Sequence, residues 1–142
     1  MNLKPEFALE VFRQMAFISA LIGGFAFSFV GVLLSLPEKR RIINWVIAIT
    51  IAASSGMIIC TLGWTMSSFN AYQLVFEKAV LPAFFKPMHQ ILSLTFIASL
   101  LLFLVSCGLS GWIRSRRLGI LSSMIALFAI IGALFILSYF IR

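Results

Sequence analysis

The chain has 142 residues, of which 62% are hydrophobic and 11% charged, and its mean hydropathy is +1.12. A soluble domain is about half apolar and about a quarter charged, so this composition excludes an ordinary soluble globular protein. The net charge is +7, but the bases flank apolar segments and form no basic face, which favours lipid headgroups and excludes nucleic acid as the expected partner.

Most of the sequence lies in apolar runs, at 15–36, 42–67, 90–113 and 118–141. A hydrocarbon core of about 30 Å takes roughly 20 helical residues, and each run is long enough. The runs are too long for barrel strands and lack alternation, so we predict helices. The expected fold class is an all-α integral membrane protein, a single four-transmembrane-helix bundle over 1–142. The first run exceeds the apolar core of a signal peptide, so we expect it to be retained.

The first helix is expected to begin before the membrane. Pro5 suits a first helical turn, and Glu6 suits the positive end of the helix dipole. A helix over 5–36 would be ~48 Å long and would exceed the hydrocarbon core. We therefore predict a surface or projecting helix over 5–14, in which Glu10 pairs with Arg13 or Gln14. Residues 69–89 are predicted to form a long outer connection.

Two other connections are short and basic, and with four spans they share one side of the membrane while both termini share the other. Their bases are Lys39, Arg40 and Arg41 in the first hairpin and Arg114, Arg116 and Arg117 in the second. Clustered bases beside spans favour the cytoplasmic side. We predict that both termini lie outside, in a plasma or bacterial inner membrane, and that the hairpins bind anionic lipid headgroups.

The second helix carries hydroxyl side chains that recur on one narrow face of a 3.6-residue helix. They are Thr50, Ser54, Thr61, Thr65 and Ser68. One interpretation is packing, because membrane helices use Ser and Thr to bond backbone or neighbouring helices. The other is a water-filled path or a polar substrate pocket. We predict that this hydroxyl row faces a polar or hydrated space instead of lipid.

Small side chains form stripes in every predicted helix, and such stripes allow the close approach of membrane helices. The positions assigned to helix packing are Ala20, Gly24, Ser28 and Gly31 in the first helix and Gly56 and Gly63 in the second.

The sequence lacks the residues that common membrane chemistry requires. Asp is absent and His89 is the single histidine, so a Ser-His-Asp triad within the chain is excluded, and haem, which generally takes paired ligands in a bundle, is not expected. His89 is instead predicted to be an interfacial side chain. Cys60 and Cys107 lie in apolar runs and are expected to behave as small hydrophobes; whether they meet is open. We predict no cofactor and no metal.

These observations favour a non-enzymatic subunit of an oligomeric membrane assembly, which is either pore-forming and channel-like or an anchor within a larger complex. Its partners would be the lipid bilayer and either further copies of the chain or another membrane subunit. The alternative is a small multi-pass solute or ion transporter, although intramembrane ionisable residues, which usually mark transport sites, are missing from the central part of each span.

Overall fold

The computed structural model describes residues 5–35, 41–76 and 85–141, all of them helical apart from Ser35 and Ser115. The helices are α1 (Pro5–Leu34), α2 (Arg41–Phe76), α3 (Phe85–Arg114) and α4 (Arg116–Ile141). Each is long and apolar enough to cross a membrane. The predicted all-helical fold with four apolar helices is therefore confirmed. Lys39 and Arg40 of the first hairpin lie outside the described residues.

The helices at one end of the molecule run further than the sequence suggested. Residues 69–76, expected in the long connection, continue α2, and α3 begins at Phe85. No proline or glycine interrupts 69–76, and Pro87 is accommodated in the first turn of α3, where its missing N–H costs nothing. At 1.5 Å per residue α2 is ~54 Å long, which is longer than a hydrocarbon core of about 30 Å.

Segment 5–14 is continuous with α1 and packs along this extension of α2. Ala8 and Phe12 are buried in a hydrophobic cluster that includes Trp64 and Ala71 of α2. The opposite face is polar, and Gln14 Nε2 donates a hydrogen bond to Glu10 Oε1 at 3.0 Å, which confirms the predicted pairing.

The bundle is open, because extensive packing joins only helices that follow one another in the sequence. Among the described helices, α1 packs on α2, α2 on α3, and α3 on α4. Aromatic rings also join the start of α1 to the start of α3. As a result α2 is central, while α1 and α4 form the two edges and expose much of their surface.

Four arginines lie together at one end of the bundle. Thr50 of α2 and Ser106 of α3 are hydrogen-bonded through their hydroxyls, which places them at one depth. Arg41 and Arg114 lie eight or nine residues away, roughly 12–14 Å towards the same end. We call this the arginine end; its members are Arg41, Arg114, Arg116 and Arg117. The other end, where α1 begins, is called the terminal end.

Candidate functional site

The first two members of the hydroxyl row face packed protein. Thr50 and Ser54 are at most 2% exposed. Thr50 donates to the Val46 carbonyl at 2.6 Å, so the Ser106 hydroxyl is the donor in the Thr50–Ser106 pair. Ser54 bonds to the carbonyls of Thr50 and Ile51, each at 3.0 Å. The row is thus shielded from lipid here, but by neighbouring helices and not by a hydrated space.

The remaining members of the row are half-buried and bond within their own helix. Thr61 donates to the Met57 carbonyl at 2.9 Å, Thr65 to the Thr61 carbonyl at 2.7 Å, and Ser68 to the Thr65 carbonyl at 2.7 Å. A hydroxyl that bonds to a carbonyl about one turn back has used its single proton. Consequently each hydroxyl of the row has a partner within the chain and can offer a ligand only lone pairs.

An open groove of about 240 Å³ lies between α1 and α2. Its lining residues are Ser19, Ala20, Gly23, Gly24, Ile58, Thr61 and Leu62. Ser19 donates its hydroxyl proton to the Met15 carbonyl at 2.7 Å, and Thr61 is bonded as described. With its two hydroxyls already satisfied and its other residues apolar or small, the groove suits an apolar occupant better than a hydrated solute.

The two glycines assigned to packing in α2 lie against α3. A Cβ on Gly56 would overlap the Ser99 hydroxyl, and a Cβ on Gly63 would overlap the Leu92 side chain. Cys60, on the same face, is buried and donates to the Leu92 carbonyl at 3.5 Å. Both Cys60 and Cys107 are free thiols. The small-residue face of α2 is therefore the contact that brings α2 and α3 close together.

The four positions assigned to packing in α1 lie outside its close contact with α2, and two of them, Ala20 and Gly24, line the open groove between the two helices. Ala20, Gly24, Ser28 and Gly31 are exposed, and a Cβ on Gly24 or Gly31 would meet nothing within 4 Å. We call these four residues the α1 stripe.

The α1 residues that pack against α2 belong to a neighbouring stripe, and sequence reasoning did not select it. Its buried members are Ser19, Gly23, Ala26, Val30 and Leu33. A Cβ on Gly23 would lie 3.1 Å from the Met57 Cβ. Ala8 and Phe12 continue the same spacing towards the N-terminus and are the signal that could have identified this face.

The contact between α3 and α4 combines glycines with hydrogen bonds across the interface. A Cβ on Gly119 would overlap the Trp112 ring. Ser122 donates to the Gly108 carbonyl at 2.7 Å, and Trp112 Nε1 donates to the Ser123 hydroxyl at 3.0 Å. The contact lies in the first half of α4, and residues 127–135 are largely exposed.

Aromatic rings from three helices meet near the terminal end. The Phe12 and Trp64 ring centroids are 5.6 Å apart, and those of Trp64 and His89 are 5.1 Å apart. Phe85 stacks on Phe12 at 6.1 Å. Trp64 is fully buried, and its indole Nε1 has no hydrogen-bond partner in the described part of the chain. His89 is exposed, and its Nδ1 is 3.0 Å from the Ser93 hydroxyl. Rings in direct contact leave little room for a ligand.

Within residues 5–35, 41–76 and 85–141, no group of three or more His, Cys, Asp or Glu side chains could hold a metal ion. No family model, curated protein or solved structure matches the chain.

Proposed function

We propose that this protein is a non-enzymatic subunit of an oligomeric membrane assembly, in which α1 provides the contact with the next subunit. The proposal includes membrane insertion with both termini outside and the arginine end in the cytoplasm. The observation that carries it is the outward position of the α1 stripe. Helices associate in membranes through small residues that let two backbones approach, and this stripe is not used for that purpose within the chain.

The surroundings of the α1 stripe support a helix as its partner. Leu21 and Phe27 are 50% and 66% exposed, and by helical periodicity they flank the stripe on either side. Small residues between two bulky ridges form a shallow channel along the helix. The groove between α1 and α2 adjoins this channel, since Ala20 and Gly24 contribute to both. A helix seated there would bury surface that otherwise contacts lipid.

The test combines Gly24→Leu with Gly31→Leu. We expect the parent protein to be oligomeric in nanodiscs or mild detergent, and the double variant to shift towards monomer. Overpacking typically costs about 1–3 kcal/mol, which corresponds to at least about a fivefold weaker association. Because a Cβ at either glycine meets nothing within 4 Å, the melting temperature of the protomer should hardly change. Native mass spectrometry and light scattering would measure the mass.

The matched control is Gly132→Leu, the same substitution at an α4 glycine where a Cβ also meets nothing within 4 Å. It should retain the parental mass. A parent protein that stays monomeric in bilayers without a copurifying membrane subunit would contradict the proposal. So would a double variant that assembles like the parent.

The second candidate is a pore or a small solute or ion transporter, and the hydroxyl row is the observation in its favour. The burial of Thr50 and Ser54 weighs against a hydrated path within one subunit. In a background of Cys60→Ala and Cys107→Ala, we expect cysteine at position 50 or 54 to react with a water-soluble thiol reagent at least about 100-fold more slowly than cysteine at position 68, since reaction requires local opening.

Ile59→Cys is the control for a lipid-facing position, because Ile59 is 58% exposed and does not line the groove between α1 and α2. It should resist the water-soluble reagent and react with a lipid-soluble maleimide. Fast reaction with the water-soluble reagent at positions 50, 54, 61, 65 and 68 alike would establish a hydrated path and favour the pore or transporter.

A further inference from the structure

The arginines of the arginine end lie at nearly one depth. The Thr50–Ser106 bond aligns α2 with α3, and the bond from Ser122 to the Gly108 carbonyl aligns α4 with α3. Arg114 is six residues from Gly108, and Arg116 is six residues from Ser122, which is roughly 9 Å in each helix. Arg41 and Arg114 lie at similar distances from Thr50 and Ser106, nine and eight residues, so the guanidinium-bearing residues of three helices lie in one layer.

Two tryptophans lie just below this layer. Trp45 is four residues from Arg41, roughly 6 Å deeper, and Trp112 is two residues from Arg114, roughly 3 Å deeper. Their exposed fractions are 68% and 38%. Tryptophan is enriched at the boundary between hydrocarbon and headgroups. In a bilayer, tryptophans at this boundary would put the arginine layer at the level of the lipid phosphates.

The charge of this layer is not compensated within the described residues. Glu6 and Glu10, the acidic residues of that part of the chain, lie at the terminal end. The arginines of the arginine end are exposed and form no ion pair there. Arg116 and Arg117 also occupy the first turn of α4, where the positive end of the helix dipole disfavours cations. An external anion beside Arg116 and Arg117 would offset this unfavourable interaction with the helix dipole.

We propose that the arginine end binds the headgroups of anionic phospholipids in preference to zwitterionic ones, and that Arg116 and Arg117 supply much of this preference. A guanidinium binds phosphate oxygens through paired hydrogen bonds, which suits the phosphate layer of a bilayer. The two tryptophans favour the membrane boundary and so keep the arginines beside the lipid phosphates. The anion is therefore a lipid of the bilayer itself. This inference is independent of the proposed oligomeric function.

The experiment uses tryptophan fluorescence, because Trp45 and Trp112 report on lipid at the arginine end. The full chain, carrying Trp64→Phe to reduce background, is reconstituted in phosphatidylcholine vesicles with increasing brominated phosphatidylglycerol. Parallel samples receive brominated phosphatidylcholine. The parent should be quenched more strongly by the anionic lipid. Each arginine near an anionic surface contributes up to about a fivefold preference for anionic over zwitterionic lipid. The double variant Arg116→Gln with Arg117→Gln should therefore lower this preference by up to about 25-fold.

The control is Arg13→Gln, which removes an exposed arginine at the terminal end and should leave the preference unchanged. High salt should reduce the preference of the parent, because exposed charges are screened. Equal quenching by the two lipids, or an unchanged preference in the double variant, would overturn the proposal. Complete competition by millimolar inorganic phosphate would also overturn it, since the ligand would then be a free anion.

Discussion

Replacing Gly56 with leucine should prevent the stable packing of α2 on α3. A Cβ at this position would overlap the Ser99 hydroxyl and lie 3.2 Å from the Ser99 Cβ, so a leucine has no space without separation of the two helices. Overpacking of this kind costs about 1–3 kcal/mol and sometimes more. The loss should be visible as faster modification of Cys60, which is fully buried in the parent and lies on the same face of α2.

The control for this prediction is Gly132→Leu in α4, where a Cβ would meet nothing within 4 Å. It should leave the reactivity of Cys60 and the melting temperature near the parental values. A smaller change gives a sharper test of the contact itself: Gly56→Ala should be destabilising, and adding Ser99→Ala should recover part of the loss because it removes the overlapping hydroxyl. Additive effects of the two substitutions would contradict the assigned contact.

The number and type of helices could be predicted from the sequence because each span is a long apolar run. The ends of α2 and α3 could not be predicted from hydropathy. Residues 69–76 are only moderately apolar, and their helical state is stabilised by packing of Ala71 in a cluster with Ala8 and Phe12. These partners are distant in the sequence, so a local pattern contains no sign of them.

The small-residue stripes predict the packing face correctly in α2 but not in α1. Gly56 and Gly63, which the sequence predicts to be packing positions, lie against α3. In α1 two stripes that contain small residues lie about 135° apart around the helix, and the presence of small residues alone does not distinguish them. The inner stripe is the one that continues into Ala8 and Phe12. The α1 stripe is left on the outside, which is why it supports assembly in the proposal above.

The surroundings of the hydroxyl row could not be predicted from the pattern of residues on α2 alone. Its five members share a face as predicted from the 3.6-residue period, but their surroundings depend on where α1 and α3 dock. Thr50 meets Ser106 across the interface, whereas Thr61 lines the groove beside α1. Partner positions of this kind follow from tertiary packing, so the choice between a packed and a hydrated face could not be made from the row alone.

Trp64→Ala should be among the most destabilising substitutions in the chain. Trp64 is fully buried and joins three helices through its contacts with Phe12 and His89. Truncation of a buried tryptophan costs about 3–5 kcal/mol, partly through the cavity that remains. Trp45→Ala is the control, because Trp45 is 68% exposed and its loss creates no cavity. Thermal unfolding followed by circular dichroism would compare the two variants.

Trp64→Phe should cost far less than Trp64→Ala, for a reason specific to this site. The indole Nε1 is buried without a hydrogen-bond partner among the described residues, and an unsatisfied buried donor costs about 1–3 kcal/mol. Phenylalanine removes that donor while it retains a ring for the stack with Phe12, so the lost volume and the relieved penalty offset each other. We expect a stability within about 1 kcal/mol of the parent. A Trp64→Phe variant as unstable as Trp64→Ala would mean that the indole N–H forms a stabilising interaction in the folded protein.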